Sequence, residues 1–422
     1  MSNGSVIGLT KVVDNGADSG LYNLVILAEG YTASQLPDFH TDVSNFVAAL
    51  QATPPYGASW QAINVYRIDV ASTDSGAADP TACGGTGAAP ATYFDASFCN
   101  GGIQRLLEVN DTTVHTVVND YLPTAHAILV LVNSDIYGGS ETLGPGGIGV
   151  FSTNSESMQI GLHELGHTFG LADEYPTWAG CGSGESGHNT YTGGEPTQPN
   201  VTANTDRTTL KWREFVDSST AIPTTSNPNC GDCDPRTTSP VPAGTVGAFE
   251  GAYYNHCGAY RPEFTCMMQT LGVPYCTVCE MVIAANLALY TCAITGISEG
   301  TAMARKLGSM RSVRDDWLAA SPDGRRLIDL LARHDAEITT RLTVDGPLRE
   351  RAQGLLERAY AVVESRDSAE PLIFDAELIA AAADVLGELA ASGSIALRRA
   401  ADSSRADLHR LQGKSAAEAF PA

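Results

Sequence analysis

One stretch of the chain carries a full set of groups for metal-assisted hydrolysis: His163-Glu164-Leu165-Gly166-His167-Thr168-Phe169-Gly170-Leu171-Ala172-Asp173. On an α-helix, residues four apart differ by about 40° in direction and one turn in height, so the His163 and His167 imidazoles address one point. Two neutral imidazole nitrogens suit Zn2+. Glu164 projects beside that point, where a carboxylate can act as general base toward water. Gly170 has no Cβ to oppose a left-handed backbone, so the helix can end there. The chain can then turn back and bring Asp173 in as a third ligand. One position stays open, as hydrolysis requires. A carboxylate ligand makes the metal a weaker Lewis acid than three imidazoles would, which places more of the work on Glu164. A polar stripe on a surface helix is the bland alternative. It leaves Gly170 and the apolar flanks Leu162, Leu165 and Phe169 unexplained.

About a hundred residues downstream, Thr265-Cys266-Met267-Met268-Gln269 offers a second element. Metzincin-type zinc enzymes place a methionine as an apolar floor under the metal, and the C-x-M pattern favours Met268, with Met267 next. As core methionines, both would need no such explanation. Gln269 and Thr270 follow where many such enzymes carry a tyrosine, so the oxyanion-binding role is either vacant or filled by another residue, Tyr260 and Tyr275 being the candidates. His188 and His256 lie in the loop-rich region and are read as solvated rather than as substrate ligands.

The elements that must position these groups follow from hydrophobic period. Leu21–Tyr31, Ile63–Val70 and Ala127–Asn133 read as strands, His40–Gln51 and Asp111–Tyr121 as helices. Such alternation predicts an α/β (α+β) fold with a mostly parallel sheet. Val150–Thr153, after the Gly-rich Gly138–Gly149, is expected to be an edge strand beside the site, and Ser157–Phe169 the helix that carries it. Residues 176–260, rich in Gly, Pro, Thr and Asn, should be irregular. The uncharged run Met281–Ser298 reads as a buried helix and its exit turn, not a membrane span, because Asn286, Thr291, Thr295 and Gly296 interrupt it.

Composition divides the 422-residue chain near residue 300. Residues 1–300 hold 8 basic and 29 acidic side chains, a balance of −21, together with all ten cysteines; the rest holds 17 and 19, a balance of −2. The expected domains are a catalytic one over 1–298, with subdomains meeting near 170/171, and a helical one over 299–422. In the latter, Arg325–Leu342, Leu348–Glu364, Glu377–Leu389 and Ser394–Leu411 form a small bundle for packing or docking. A net charge of −23 without a basic patch argues against nucleic acid as a partner, and nothing in the sequence specifies an oligomeric state.

Ten cysteines in an acidic, Lys-poor region predict an oxidising, extracellular setting with several disulfides. Met-Ser-Asn-Gly-Ser at the start lacks the basic and apolar parts of a signal peptide. Cys83 and Cys99 flank one loop and make a plausible pair. The two C-x-x-C pairs, Cys230/Cys233 and Cys276/Cys279, suit disulfides, with a joint four-cysteine zinc site as the alternative.

Together the runs HELGHTFGLADEY (His163–Tyr175), YRPEFTCMMQTLGVPYCTVCE (Tyr260–Glu280) and VILAEGYT (Val25–Thr32) resemble the bacterial IgA-specific metallopeptidase family. INVYRIDVASTDSG (Ile63–Gly76) and LVNSDIYGG (Leu131–Gly139) fit as well, and the likeness spans most of residues 20–295. It implies a secreted endopeptidase of metzincin-like fold with one catalytic Zn2+ on His163, His167 and Asp173, Glu174 being the alternative ligand. It further implies Glu164 as base, Met268 beneath, and a protein or peptide substrate. Two other readings stand beside it. One is a retired peptidase fold used for binding or adhesion; the other is zinc hydrolysis of a non-protein amide. A retained Glu164 argues against the first, since binding alone needs no general base.

Overall fold

A computed structural model describes residues 3–421 except 17, 19–20, 142–145, 178–180, 182–187, 289, 291–305, 307–308 and 311–312. The chain divides into two compact units, Met1–Ile283 and Ala284–Ala422. The boundary expected at 298/299 and Cys292 lie outside the described residues.

In the first unit a six-stranded sheet runs in the order β1-β3-β2-β4-β6-β5. The strands are β1 Gly4–Val13, β2 Tyr22–Glu29, β3 Ile63–Ser72, β4 Ala127–Val132, β5 Gly139–Glu141 and β6 Ile148–Ser152. β3, β2, β4 and β6 are mutually parallel, as β-α-β alternation requires. β2, β4 and β6 are buried at every position, which explains their mainly apolar sequences; the polar residues Asn23, Glu29 and Ser152 sit at or near their ends. Both outer strands are antiparallel, so the sheet is mixed. β1 was not signalled, because it is an edge strand with no fully buried position, and Gly8, Thr10 and Lys11 break its apolar run. The 148–152 strand is interior rather than at the edge: β5, drawn from the Gly-rich stretch, pairs along its free side.

Helices α1 (Leu36–Ala52), α2 (Asp111–Tyr121) and α3 (Ser157–Thr168) belong to this unit. Apolar faces explain α1 and α2, with Phe39, Val43, Phe46 and Leu50 buried on one and Val114, Val117 and Val118 on the other. α3 packs against β6 at such close range that Gly149 has no room for a side chain. A Cβ there would meet Leu129 Cδ2 at 2.6 Å and Glu164 Cβ at 3.2 Å. Residues 176–260 are mainly irregular, yet they supply a three-stranded sheet of β7 (His188–Thr190), β9 (Asn255–Arg261) and β8 (Phe249–Ala252). α4 (Thr277–Leu287) begins the uncharged run, much of which lies outside the described residues.

The second unit is helical. Its helices Pro322–Val344, Gly346–Glu364, Ala376–Ser392 and Ile395–Asp407 start where Ser321, Asp345, Asp375 and Ser394 accept a backbone N–H at the N-terminus. Leu342, Leu348, Ala352, Val385 and Leu389 form one of its cores. Among the described residues, no helix is long and apolar enough to cross a membrane.

Candidate metal centre

α3 places His163 and His167 one turn apart, and Gly170, at φ +82°, reverses the chain directly after it. No atom lies within 4 Å of a Cβ built at Gly170, so backbone conformation rather than space calls for glycine. The reversal returns Asp173 to the histidines. His163 Nε2 lies 3.0 Å from Asp173 Oδ1, His167 Nε2 lies 3.5 Å from the same oxygen, and the two Nε2 atoms are 3.2 Å apart. Tetrahedral ligands about 2.0–2.1 Å from an ion stand about 3.3 Å from one another, so the three atoms are spaced for one small divalent cation.

Main-chain carbonyls orient both rings. Met267 O accepts from His163 Nδ1 at 2.9 Å and Leu171 O from His167 Nδ1 at 2.9 Å. A carbonyl can only accept, so each Nδ1 carries its hydrogen, which leaves each Nε2 to face the common point and to offer a lone pair there once its proton is displaced by a metal. Glu164, buried like its neighbours, places Oε2 4.0 Å from His167 Nε2. Burial raises its pKa above the ordinary carboxylate value, against the opposing pull of His163 and His167. With no metal present, burial draws the His167 pKa down, but the charge and hydrogen bond of Asp173 and the charge of Glu164 outweigh it and raise it to about 10. Asp173 is held far below the carboxylate range: burial opposes this, and the charges and hydrogen bonds of His167 and His163 prevail. The cluster thus favours a positive charge at its centre.

Met268 is fully buried, and its sulfur packs beneath α3. A Cβ on Gly166 would lie 2.7 Å from Met268 Sδ and 3.2 Å from Tyr275 Oη. Gly166→Ala is therefore expected to destabilise the metal-loaded protein by about 1–3 kcal/mol through overpacking. Urea unfolding measures this, and an unchanged midpoint would mean that Met268 yields freely.

Several participants were not legible beforehand. Asn200, fully buried, holds the returning chain by accepting from Ala172 N at 2.8 Å and donating to Ala172 O at 2.8 Å and Glu174 Oε1 at 2.9 Å. Tyr254 donates to Asp173 Oδ2 from the β8–β9 turn, where Tyr253 and Tyr254 both take positive φ, 55° and 61°. Two consecutive left-handed residues that are not glycine are unusual, and such strain collects where a side chain must be aimed. Tyr254→Phe removes one outer contact of the proposed ligand, so metal affinity should fall about 10–100-fold in chelator competition. Glu141, on β5, has both carboxylate oxygens buried without a hydrogen-bond partner. Burial pushes its pKa to about 8, with His167 opposing and the charges of Glu164 and Asp173 adding. Arg105 sits over the Tyr175 ring, 6.0 Å from its centroid, and its charge acts on Asp173 and Glu164.

Other candidates are placed elsewhere. Tyr260 donates to Glu250 at 3.2 Å, and the buried Tyr275 donates to Leu162 O, so neither hydroxyl is engaged at the ligand cluster. Buried His256 engages Cys230 O at 3.2 Å rather than solvent, and the His188 side chain lies outside the described residues. Glu174 turns away from the histidines toward Cys276 and Cys279. Cys83 pairs with Cys99. Neither C-x-x-C pair closes on itself: Cys230 joins Cys257, Cys233 joins Cys181, and Cys276 and Cys279 stay thiols with Cys266. The joint four-cysteine site is therefore not assembled, since sequence proximity did not decide which sulfurs meet.

No curated protein matches the chain. A family model described as IgA Peptidase M64 matches residues 10–230 and 237–287.

Proposed function

The chain belongs to the IgA Peptidase M64 family, and on that premise we propose that this metallopeptidase is a secreted zinc endopeptidase whose zinc is held by His163, His167 and Asp173. The convergence of their three donor atoms, all within 3.5 Å of one another, is the observation that carries the reading. Bound there, Zn2+ would supply Lewis acidity to a water molecule and to the scissile carbonyl. Glu164 takes the proton of the attacking water and hands it to the leaving amine nitrogen. Its buried position favours this shuttle, because a carboxylate short of solvation binds a proton more readily. Met268 beneath α3 supports a metzincin-like arrangement. Three disulfides among the described residues support an extracellular setting. The family match ends at residue 287, which supports assigning catalysis to residues 1–298 and an accessory role to the helices of 299–422.

A cleavage assay on unfolded proteins, with immunoglobulin A as one substrate, tests the proposal. Cleavage should stop with a chelator and return with zinc. Bound zinc without cleavage across a broad panel would overturn it in favour of a binding protein; cleavage confined to non-peptide amides would favour an amidase.

A further inference from the structure

Ten residues upstream of Cys276, Cys266 opens a C-x9-C-x2-C arrangement that the catalytic reading does not use. Its three sulfurs and one oxygen of Glu174 lie within 4.8 Å of one another, and all four residues are buried. Cys266 Sγ is 3.7 Å from Cys279 Sγ, and Glu174 Oε1 is 3.2 Å from Cys279 Sγ and 3.9 Å from Cys276 Sγ. A tetrahedral ion with sulfur ligands at about 2.3 Å spaces them about 3.8 Å apart. We propose that Cys266, Cys276, Cys279 and Glu174 hold a second, structural divalent metal ion, zinc by its ligand chemistry.

Other uses of the four groups fit less well. One disulfide would consume two of the sulfurs and strand the third beside a buried carboxylate, in a unit that closes three disulfides elsewhere. An inert apolar cysteine cluster does not explain Glu174, fully buried, with Oε2 lacking any hydrogen-bond partner. Backbone groups suit thiolates: Cys276 N donates to Cys266 Sγ at 3.2 Å and Cys279 N to Cys276 Sγ at 3.5 Å. Soft sulfur ligands with one carboxylate select zinc over magnesium or calcium. On binding, three metal–sulfur bonds and one metal–oxygen bond form as the S–H groups and the Glu174 carboxyl give up the protons they hold to solvent; no electrons are exchanged. The buried Arg261 guanidinium acts on Glu174 and Cys266 and offsets part of the negative charge.

With four protein ligands the site is closed, so its role is structural. Glu174 follows Asp173 directly and its N–H donates to Met268 O at 2.8 Å, while Met267 O accepts from His163. The ion therefore fastens the returning chain to the methionine segment and holds both sides of the first site in register.

Metal content of the full chain, made under oxidising conditions with zinc and then dialysed free of it, tests this. Wild type should retain two zinc ions per chain, His167→Ala one and Cys276→Ser one. Cobalt substitution of His167→Ala should give an intense sulfur-to-cobalt charge-transfer band, which decides the matter even if Cys276→Ser fails to fold. Retention of one ion by wild type and none by His167→Ala would overturn the second site and leave the catalytic reading standing. A disulfide linking two of the three cysteines, or one of them to Cys292, in peptide maps would also overturn it.

Discussion

Glu164→Gln is expected to lower kcat/KM for a peptide substrate about 10³-fold, inside the 10²–10⁴ range typical of a general acid–base group. The replacement keeps the size and the hydrogen-bonding plane of the side chain but cannot accept a proton. Glu164 lies beside the proposed ligands, its Oε2 4.0 Å from His167 Nε2 against 3.5 Å for Asp173 Oδ1. Metal occupancy should accordingly match wild type, and metal analysis run beside the kinetics separates lost chemistry from lost metal. At saturating zinc, the acid limb of the pH–rate profile that wild type owes to this carboxylate should be missing from the residual activity. Full activity in the metal-loaded variant would remove Glu164 from the mechanism.

Asp173→Asn should be nearly as severe, through a different step. Zinc affinity is expected to fall at least about 10³-fold, beyond the 10–100-fold typical of outer contacts, because a neutral amide oxygen replaces an anionic ligand. Activity should return in part at high zinc, which distinguishes this variant from Glu164→Gln. The metal-free protein gives a second readout. There the His167 pKa of about 10 lies above its unfolded value of about 6.5, so the pair with Asp173 stabilises the fold fully below about pH 6.5 and loses that contribution as pH rises toward 10. On the acid side the depressed Asp173 pKa leaves the contribution intact down to about pH 4, its unfolded value, and lost only as pH falls further. Metal-free wild type and Asp173→Asn should therefore differ most in denaturant midpoint between about pH 4 and 6.5 and converge toward pH 10. A gap that widens with pH would contradict the pairing.

The same pair makes zinc uptake a proton-releasing event. Binding at the proposed site at neutral pH should displace a proton that Asp173 holds on the imidazole cluster, so calorimetric heats should depend more steeply on buffer ionisation enthalpy for wild type than for Asp173→Asn, over and above any protons released by the cysteines.

Local periodicity made much of this protein readable from its residues alone. A period of 3.6 sets His163 and His167 on one face whatever surrounds the helix, and a glycine able to reach φ +82° is a sufficient stop. Fully buried strands such as Ala127–Val132 declare themselves by composition, and the capped helices of the second unit by their spacing. Contacts between segments far apart in the chain were not readable. Tyr254 reaches Asp173 across 81 residues and Met267 O reaches His163 across 104, so only chain closure could name these partners. The interrupted, partly exposed β1 and three-residue β5 carry too little pattern to announce themselves, yet β5 decides which strand forms the edge and brings Glu141 in. Cysteine pairing followed the same rule: proximity in sequence suggested Cys230 with Cys233, whereas the folded chain sends them to Cys257 and Cys181. Residue order alone set the candidate ligand types and their spacing along one helix, because that geometry is local. What orients those ligands, and that Glu174 turns to three sulfurs instead of the histidines, came from the folded chain, because these outcomes depend on segments that meet only once the core has formed.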